Sequence, residues 1–151
     1  MFNFLKSQKS KKYDAIKKQI LIWNQACLMG IEDELLNLPR PKVGAILFFI
    51  GGIDNLCQAN QIDDDEFAKI GIELLEQIGF PSEVIRPIFV NFYTQQNKNE
   101  FALKANIEGG KLLSEFLSGK NEMAPLAFGA YVRDWAEEPD LKAEDLYLMG
   151  V

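Results

Sequence analysis

The stretch Ile62-Asp63-Asp64-Asp65-Glu66-Phe67 places four consecutive acids between two apolar residues. It follows an apolar segment at residues 43–57 and precedes a segment of helical periodicity that ends at Gly79. Four adjacent acids are typical either of a cation site or of the first turn of a helix. The choice between these two interpretations decides both the fold and the function that the sequence predicts.

The flanking residues favour a helix start. Asp63 as N-cap and Glu66 three residues later match a capping box, and Ile62 and Phe67 match the hydrophobic staple that surrounds one. The two acids between them lie in the first turn, where negative charge is stabilised by the positive end of the helix dipole. We therefore predict that a helix begins at residue 63.

Helical periodicity extends along most of the chain, and no sustained alternation with period two indicates a strand. We predict an all-α fold, a single-domain bundle of six to seven helices around a buried apolar helix at about residues 42–60. The domain covers residues 11–151, and residues 1–10 form a flexible basic N-terminal segment. The predicted helices lie at about residues 11–29, 42–60, 63–79, 82–96, 100–117, 125–135 and 141–149, with an extended link at Pro39-Arg40-Pro41.

Two glycine pairs, Gly51-Gly52 and Gly109-Gly110, fall inside predicted helices. Each glycine costs a helix roughly 1 kcal/mol relative to alanine. Close approach of a second helix offsets this cost, so we expect the two pairs to meet at one crossing point.

Composition and charge exclude several functions. The chain of 151 residues has no histidine, which excludes Ser-His-Asp and Cys-His catalysis and imidazole metal ligands. The chain has 16 basic and 22 acidic residues. Residues 1–18 contain six of the basic residues and one of the acidic residues, so the remainder of the chain has 10 basic and 21 acidic residues. Such an acidic body repels phosphate backbones, so no nucleic acid is expected as a partner.

The remaining features indicate a cytoplasmic protein without a cofactor. No secretory signal follows the N-terminus, and the longest apolar run is too short to cross a bilayer. Phe2, Phe4 and the neighbouring lysines allow weak contact with an anionic membrane surface. Cys27 and Cys57 occupy apolar helical positions, which predicts buried reduced thiols.

Three sets of residues are candidates for a site. Asp63, Asp64 and Asp65, together with Asp54, supply the oxygen ligands that a Mg²⁺ or Ca²⁺ ion needs. Catalysis would have to use a pair of carboxylates, and the available pairs are Glu73 and Glu76, Glu32 and Asp33, or Glu137 and Glu138. Tyr131, Arg133 and Trp135 are of the types enriched at interaction hot spots, although Tyr131 and Trp135 also share one helix face suited to the core.

The stretch Gln58-Ala59-Asn60-Gln61-Ile62-Asp63-Asp64-Asp65-Glu66, between an apolar helix and a helix with Ile70, Leu74 and Ile78, resembles the tellurite-resistance TerB-like family. The resemblance covers residues 44–79, with Asn60-Gln61 where the family has an Asp-Gly-like turn. It implies a small bacterial all-helical domain linked to stress or membrane-associated complexes. Some members of the family bind metal through acids.

The sequence as a whole predicts a non-enzymatic helical binding or interaction module. Its partner is a protein or a second copy of the chain. Two alternatives stay open: a weak divalent-cation-binding protein of the TerB-like type, and a hydrolase-type enzyme with a carboxylate pair.

Overall fold

Seven α-helices account for nearly all of the described chain. The computed structural model describes residues 2–95 and 100–138, with side chains for residues 8–91 and 100–138. No strand occurs in these ranges, which confirms the predicted all-α bundle. The helices are α1 (Phe2–Leu28), α2 (Asp33–Leu36), α3 (Pro39–Ala59), α4 (Asp64–Gln77), α5 (Ser82–Gln95), α6 (Glu100–Leu117) and α7 (Ala124–Glu137).

Helix α3 is the central helix of the bundle, as its sequence predicts. Every residue from Val43 to Ile53 is buried, and the other six helices pack around α3. Phe48 lies in the middle of the core, with its ring centroid 5.2 Å from that of Phe128 and 5.6 Å from that of Tyr131. A helix that is apolar on all sides is stable only when other helices cover all of its faces.

The two glycine pairs meet where α3 crosses α6, and this confirms the predicted crossing point. A Cβ atom on Gly51 would lie 2.6 Å from Cα of Asn106, and one on Gly109 would overlap the carbonyl oxygen of Phe48. No side chain fits into either space. The missing Cβ atoms let the two backbones touch, and α3 and α6 form the most extensive helix pair of the fold.

The extended link predicted at Pro39-Arg40-Pro41 is wrong, because α3 begins at Pro39. Leu38 is the N-cap, so both prolines lie in the first helical turn. The backbone nitrogens of that turn have no intrahelical acceptor, and a proline there removes no hydrogen bond. Two prolines at this place therefore start a helix instead of preventing one.

Helix α1 begins at Phe2 and not near Lys11, so residues 2–10 of the predicted flexible basic segment are helical. These residues include neither proline nor glycine, and lysine, glutamine and leucine among them favour helix. Apolar residues recur in the sequence at steps of three and four, at Tyr13, Ile16, Ile20, Trp23 and Cys27. This apolar stripe marks where α1 joins the core and not where the helix begins. Phe2 and Phe4 lie outside the described side chains, so their membrane contact stays a prediction.

Three further predictions concern the remaining helices. The helix predicted from residue 82 begins at Ser82 and continues through Pro87. The short helix predicted at residues 141–149 lies outside the described residues. Among the helices in the described ranges, none has the length and apolar character needed to cross a membrane.

Candidate functional site

The acidic stretch starts α4, as its flanking residues predict. Oδ1 of Asp63 accepts a hydrogen bond of 2.9 Å from the backbone N–H of Glu66, and Ile62 and Phe67 on either side are both buried. The Glu66 carboxylate lies 3.7 Å from Nζ of Lys69. The N-cap and the burial of both staple residues are therefore confirmed.

The basic N-terminal helix lies beside these acids. Lys9 and Lys12 of α1 line a cleft of about 380 Å³ together with Asp63. A hydrogen bond to Tyr13 is the main cause that raises the pKa of Lys9, and the charges of Glu66 and Asp63 add to it. Ammonium groups so close to the acids oppose the binding of a second cation at the same place.

The four aspartates predicted as cation ligands belong to two elements, Asp54 to α3 and the other three to the start of α4. Asp54 is half-buried on α3, where one carboxylate oxygen accepts a hydrogen bond of 2.9 Å from Nε2 of Gln58. Burial raises the pKa of Asp54, which makes its ionised form less favourable. Within residues 8–91 and 100–138, no three His, Cys, Asp or Glu side chains come together in a group that could hold a metal ion.

Glu73 and Glu76, one of the carboxylate pairs considered for catalysis, each form a surface ion pair. Glu73 lies 3.2 Å from Nζ of Lys17, and Glu76 lies 3.4 Å from the Arg86 guanidinium and accepts a hydrogen bond from the Ser82 hydroxyl.

The three residues predicted for interaction have separate structural roles. Trp135 is only 4% exposed, and its ring lies against Gly44 of α3, where a Cβ atom would come within 2.7 Å of it. The hydroxyl of Tyr131 is buried, and this burial raises its pKa to about 12. Arg133 is exposed and donates to the carbonyl oxygen of Gly30, which ties α7 to the turn after α1. Core packing therefore accounts for both aromatic residues.

Cys27 and Cys57 are free and buried, as their apolar positions predict. Burial raises the pKa of Cys57 to about 12 and that of Cys27 further above its ordinary value. A thiol with so high a pKa is almost entirely protonated near neutral pH, and the thiolate is the reactive form. These thiols are therefore core residues and not nucleophiles.

An apolar surface on the outer face of α1 was not recognised in the sequence. Leu21, Ile22 and Gln25 of α1 fall within an arc of about 100° on the helix, given 3.6 residues per turn, and Met29 follows directly after the last residue of α1. Ile22 is 49% exposed and Met29 is 88% exposed. The only signal in the sequence was that these residues lie off the stripe that enters the core.

This surface extends on both sides of α1. Towards α4 it becomes a groove of about 440 Å³ between Met29 and Ile78. Leu28 and Ile78 also line the adjoining cleft of about 550 Å³, which reaches Asp33 of α2. Towards α7, Leu126 is 57% exposed, and a Cβ atom on Gly30 would lie 3.8 Å from its Cδ2. We call the surface formed by Leu21, Ile22, Met29, Ile78 and Leu126 the Met29 surface.

The comparisons with known proteins leave the family open. No family profile matches the chain, and neither a characterised protein nor a solved structure is significantly similar to it. The TerB-like resemblance of residues 44–79 therefore stays a prediction. What the chain does has to be argued from its own surface.

Proposed function

We propose that this chain is a non-enzymatic helical interaction module of the cytoplasm, and that it binds a partner protein through the Met29 surface. The observation that carries the proposal is the exposure of Met29, 88% of whose surface faces solvent at the border of an apolar groove. Clustered apolar side chains on the surface of a soluble domain mark interaction sites. Methionine, which is flexible and polarisable, is a frequent residue at such surfaces.

The shape of the surface suits a helix or an apolar segment of another protein. The groove between α1 and α4 and the larger cleft beside it share Leu28 and Ile78, so together they form an elongated channel. An amphipathic helix binds in such a channel through apolar side chains on one face. Four different helices, α1 to α4, supply the channel walls.

The charge of the chain favours a basic partner. The formal net charge of the chain is −6, whereas the larger cleft itself is lined by one charge of each sign, Asp33 and Lys42. Opposite charge on a partner increases its association rate and excludes acidic competitors. The proposed partner is therefore a protein segment with apolar residues on one face and lysine or arginine beside them.

The test is affinity capture from the native host with three baits: wild type, Met29→Glu and Val90→Glu. Val90 is the matched control, because it is 82% exposed on α5 and does not line the channel. We expect a protein that the wild type and Val90→Glu retain and Met29→Glu loses, while all three baits melt at the same temperature. Equal retention of every captured protein by the three baits would contradict the proposal.

The oligomeric state separates a foreign partner from a second copy of the chain. Light scattering after size-exclusion chromatography measures the mass of the purified protein. A monomer supports a different protein as partner. A dimer that dissociates with Met29→Glu and persists with Val90→Glu would overturn the choice of partner and assign the surface to self-association.

A further inference from the structure

The N-terminal half of α1 is basic and lies outside the core. Gln8 to Ala15 are all exposed except for the half-buried Tyr13, and Ile16 is the first buried residue among the described side chains. Residues 1–18 contain six lysines and one acid, a net charge of +5, whereas the rest of the chain contains 10 basic and 21 acidic residues, a net charge of −11. Burial in the core therefore does not explain why lysines are concentrated in this part of the helix.

Three lysines of this half form no ion pair with the side chains that the structure describes, namely Lys11, Lys12 and Lys18. All three are exposed, and we call them the α1 lysines. By contrast, Lys17 lies 3.2 Å from Oε2 of Glu73. Lys9 donates a hydrogen bond to Tyr13, and the charges of nearby acids help to raise its pKa. The α1 lysines thus carry positive charge that no acid of the described chain contacts.

The position of these lysines in the helix is unfavourable unless an anion lies beside it. The N-terminal end of a helix carries partial positive charge, so acids are favoured in the first turn. The first turn of α1 contains no acid, and Lys6 follows it directly. Lys9 and Lys12 are three residues apart, so they lie on neighbouring turns and repel each other. A negatively charged surface along the helix offsets both costs.

Two of the α1 lysines lie on the face of the helix opposite the core. Lys11 and Lys18 are seven residues apart, so they fall within about 20° of each other on the helix. Both lie about 160° or more around the helix from Ile20, which is fully buried. Phe4, seven residues before Lys11, takes the same helical position. The outer face of α1 therefore has an aromatic residue and two lysines in one line.

An aromatic residue in line with lysines favours a lipid surface over a nucleic acid. The headgroup region of a bilayer accepts aromatic side chains beside anionic phosphates, whereas the outside of a duplex presents phosphate and sugar. A cluster of about four to eight lysines on a helix is typical of binding to anionic lipids. We infer that the N-terminal half of α1 binds an anionic membrane surface, with the α1 lysines on the lipid headgroups and Phe4 in the interface. No residue of the Met29 surface takes part.

The first experiment is cosedimentation of the protein with lipid vesicles. One set contains about 30% phosphatidylserine in phosphatidylcholine, and the other contains phosphatidylcholine alone. We expect binding to the anionic vesicles only, and weaker binding as the salt concentration rises from about 0.05 to about 0.5 M, because salt screens the attraction. Equal binding to both sets of vesicles, or binding to neither, would overturn the inference.

The second experiment replaces the α1 lysines with glutamine and uses the same replacement of Lys104, Lys111 and Lys120 as the matched control. The control lysines are exposed on α6 or shortly after it and form no ion pair with the described side chains. The two triple variants therefore have the same net charge. Glutamine and lysine have similar helix propensities, so both variants should melt at the wild-type temperature.

The two variants should differ in their binding to the anionic vesicles. Each lysine near an anionic surface strengthens binding roughly fivefold, so replacing the α1 lysines should weaken it roughly 100-fold. The control variant should bind as the wild type does. An equal loss in both variants would show that only net charge matters, and unchanged binding after replacement of the α1 lysines would show that they do not contact lipid. Either result would overturn the inference.

The third experiment tests the choice of lipid over nucleic acid. Phe4→Ser should bind the anionic vesicles severalfold more weakly, because no aromatic ring enters the interface. Val90→Ser is the matched control, since Val90 is 82% exposed on α5, and it should bind as the wild type does. Fluorescence anisotropy measures the binding of labelled duplex DNA and RNA. Binding to either that is tighter than binding to the vesicles, and is lost when the α1 lysines are replaced, would overturn the choice of lipid.

Discussion

Gly51 of α3 lies directly against the backbone of Asn106 in α6, and the carbonyl oxygen of Asn106 occupies the space where a Cβ atom would be. In the same way, the carbonyl oxygen of Phe48 in α3 occupies the space where a Cβ atom of Gly109 in α6 would be. The contact is thus reciprocal, with each helix supplying a glycine to the other. The buried position of α3 depends on this crossing.

Alanine at Gly51 or Gly109 should destabilise the protein strongly. Alanine favours the helix by about 1 kcal/mol over glycine, but its methyl group would overlap main-chain atoms that cannot rotate away. Overpacking typically costs about 1–3 kcal/mol when side chains can adjust, and backbone adjusts less. We expect each substitution to lower the free energy of unfolding by about 2 kcal/mol or more, measured by urea denaturation with circular dichroism.

Gly52→Ala is the control for this prediction. Its Cβ atom would lie 3.2 Å from a methyl group of Leu113, a side chain that can shift. Because the gain in helix propensity offsets much of the crowding, Gly52→Ala should stay within about 1 kcal/mol of the wild type. Equal effects at positions 51 and 52 would show that backbone contact is not what makes the glycines necessary.

Asp63→Ala should lower the free energy of unfolding by about 1 kcal/mol, because it removes the side chain that caps α4. Asp65→Ala is the matched control. Asp65 is an exposed acid in the same first turn and interacts with the helix dipole, which is worth about 0.3–1 kcal/mol. Thermal melts of the two variants should therefore separate, with Asp63→Ala melting at the lower temperature. A larger loss of stability with Asp65→Ala than with Asp63→Ala would contradict the capping role of Asp63.

The local signals in the sequence were sufficient for the fold. The uninterrupted apolar run of α3, the acids before α4 and the paired glycines each have one dominant physical explanation, and the structure agrees with it. The extended link predicted at Pro39 was wrong because the effect of proline on a helix depends on its position: proline fits the first turn and disrupts the interior. A pattern of residues alone does not specify that position.

The candidate sites were harder to predict, for a different reason. The Met29 surface is formed by residues distant in the chain, such as Met29 and Ile78. Its chemistry depends on which apolar side chains stay exposed, and this exposure becomes visible only after the helices are packed. The conspicuous acids at residues 63–65, by contrast, start a helix.

Trp135→Ala should be one of the most damaging substitutions in α7. The indole is 4% exposed, packs on Gly44 and lies with its ring centroid 6.2 Å from that of Phe101. Truncating a buried tryptophan to alanine costs about 3–5 kcal/mol. Arg133→Ala, which removes an exposed ion pair with Glu32, should cost at most about 1 kcal/mol. Urea denaturation of both variants distinguishes core packing from a surface role for this helix.

Asp54→Asn should stabilise the protein at neutral pH, and the gain should disappear in acid. Burial raises the pKa of Asp54 in the folded state above the ordinary value of 3.8, so the folded protein holds this proton more tightly than the unfolded chain does. The contribution of Asp54 to stability is therefore greatest below pH 3.8 and is lost as the pH rises through its folded pKa. Asparagine has the same shape, stays neutral at every pH and can still accept the hydrogen bond from Gln58.

The difference in unfolding free energy between Asp54→Asn and the wild type should be largest above the folded pKa of Asp54. It should shrink steadily as the pH falls through that pKa towards 3.8. Urea denaturation at a series of pH values measures it. A difference for Asp54→Asn that is constant with pH, or that grows in acid, would show that burial does not disfavour the charge of Asp54.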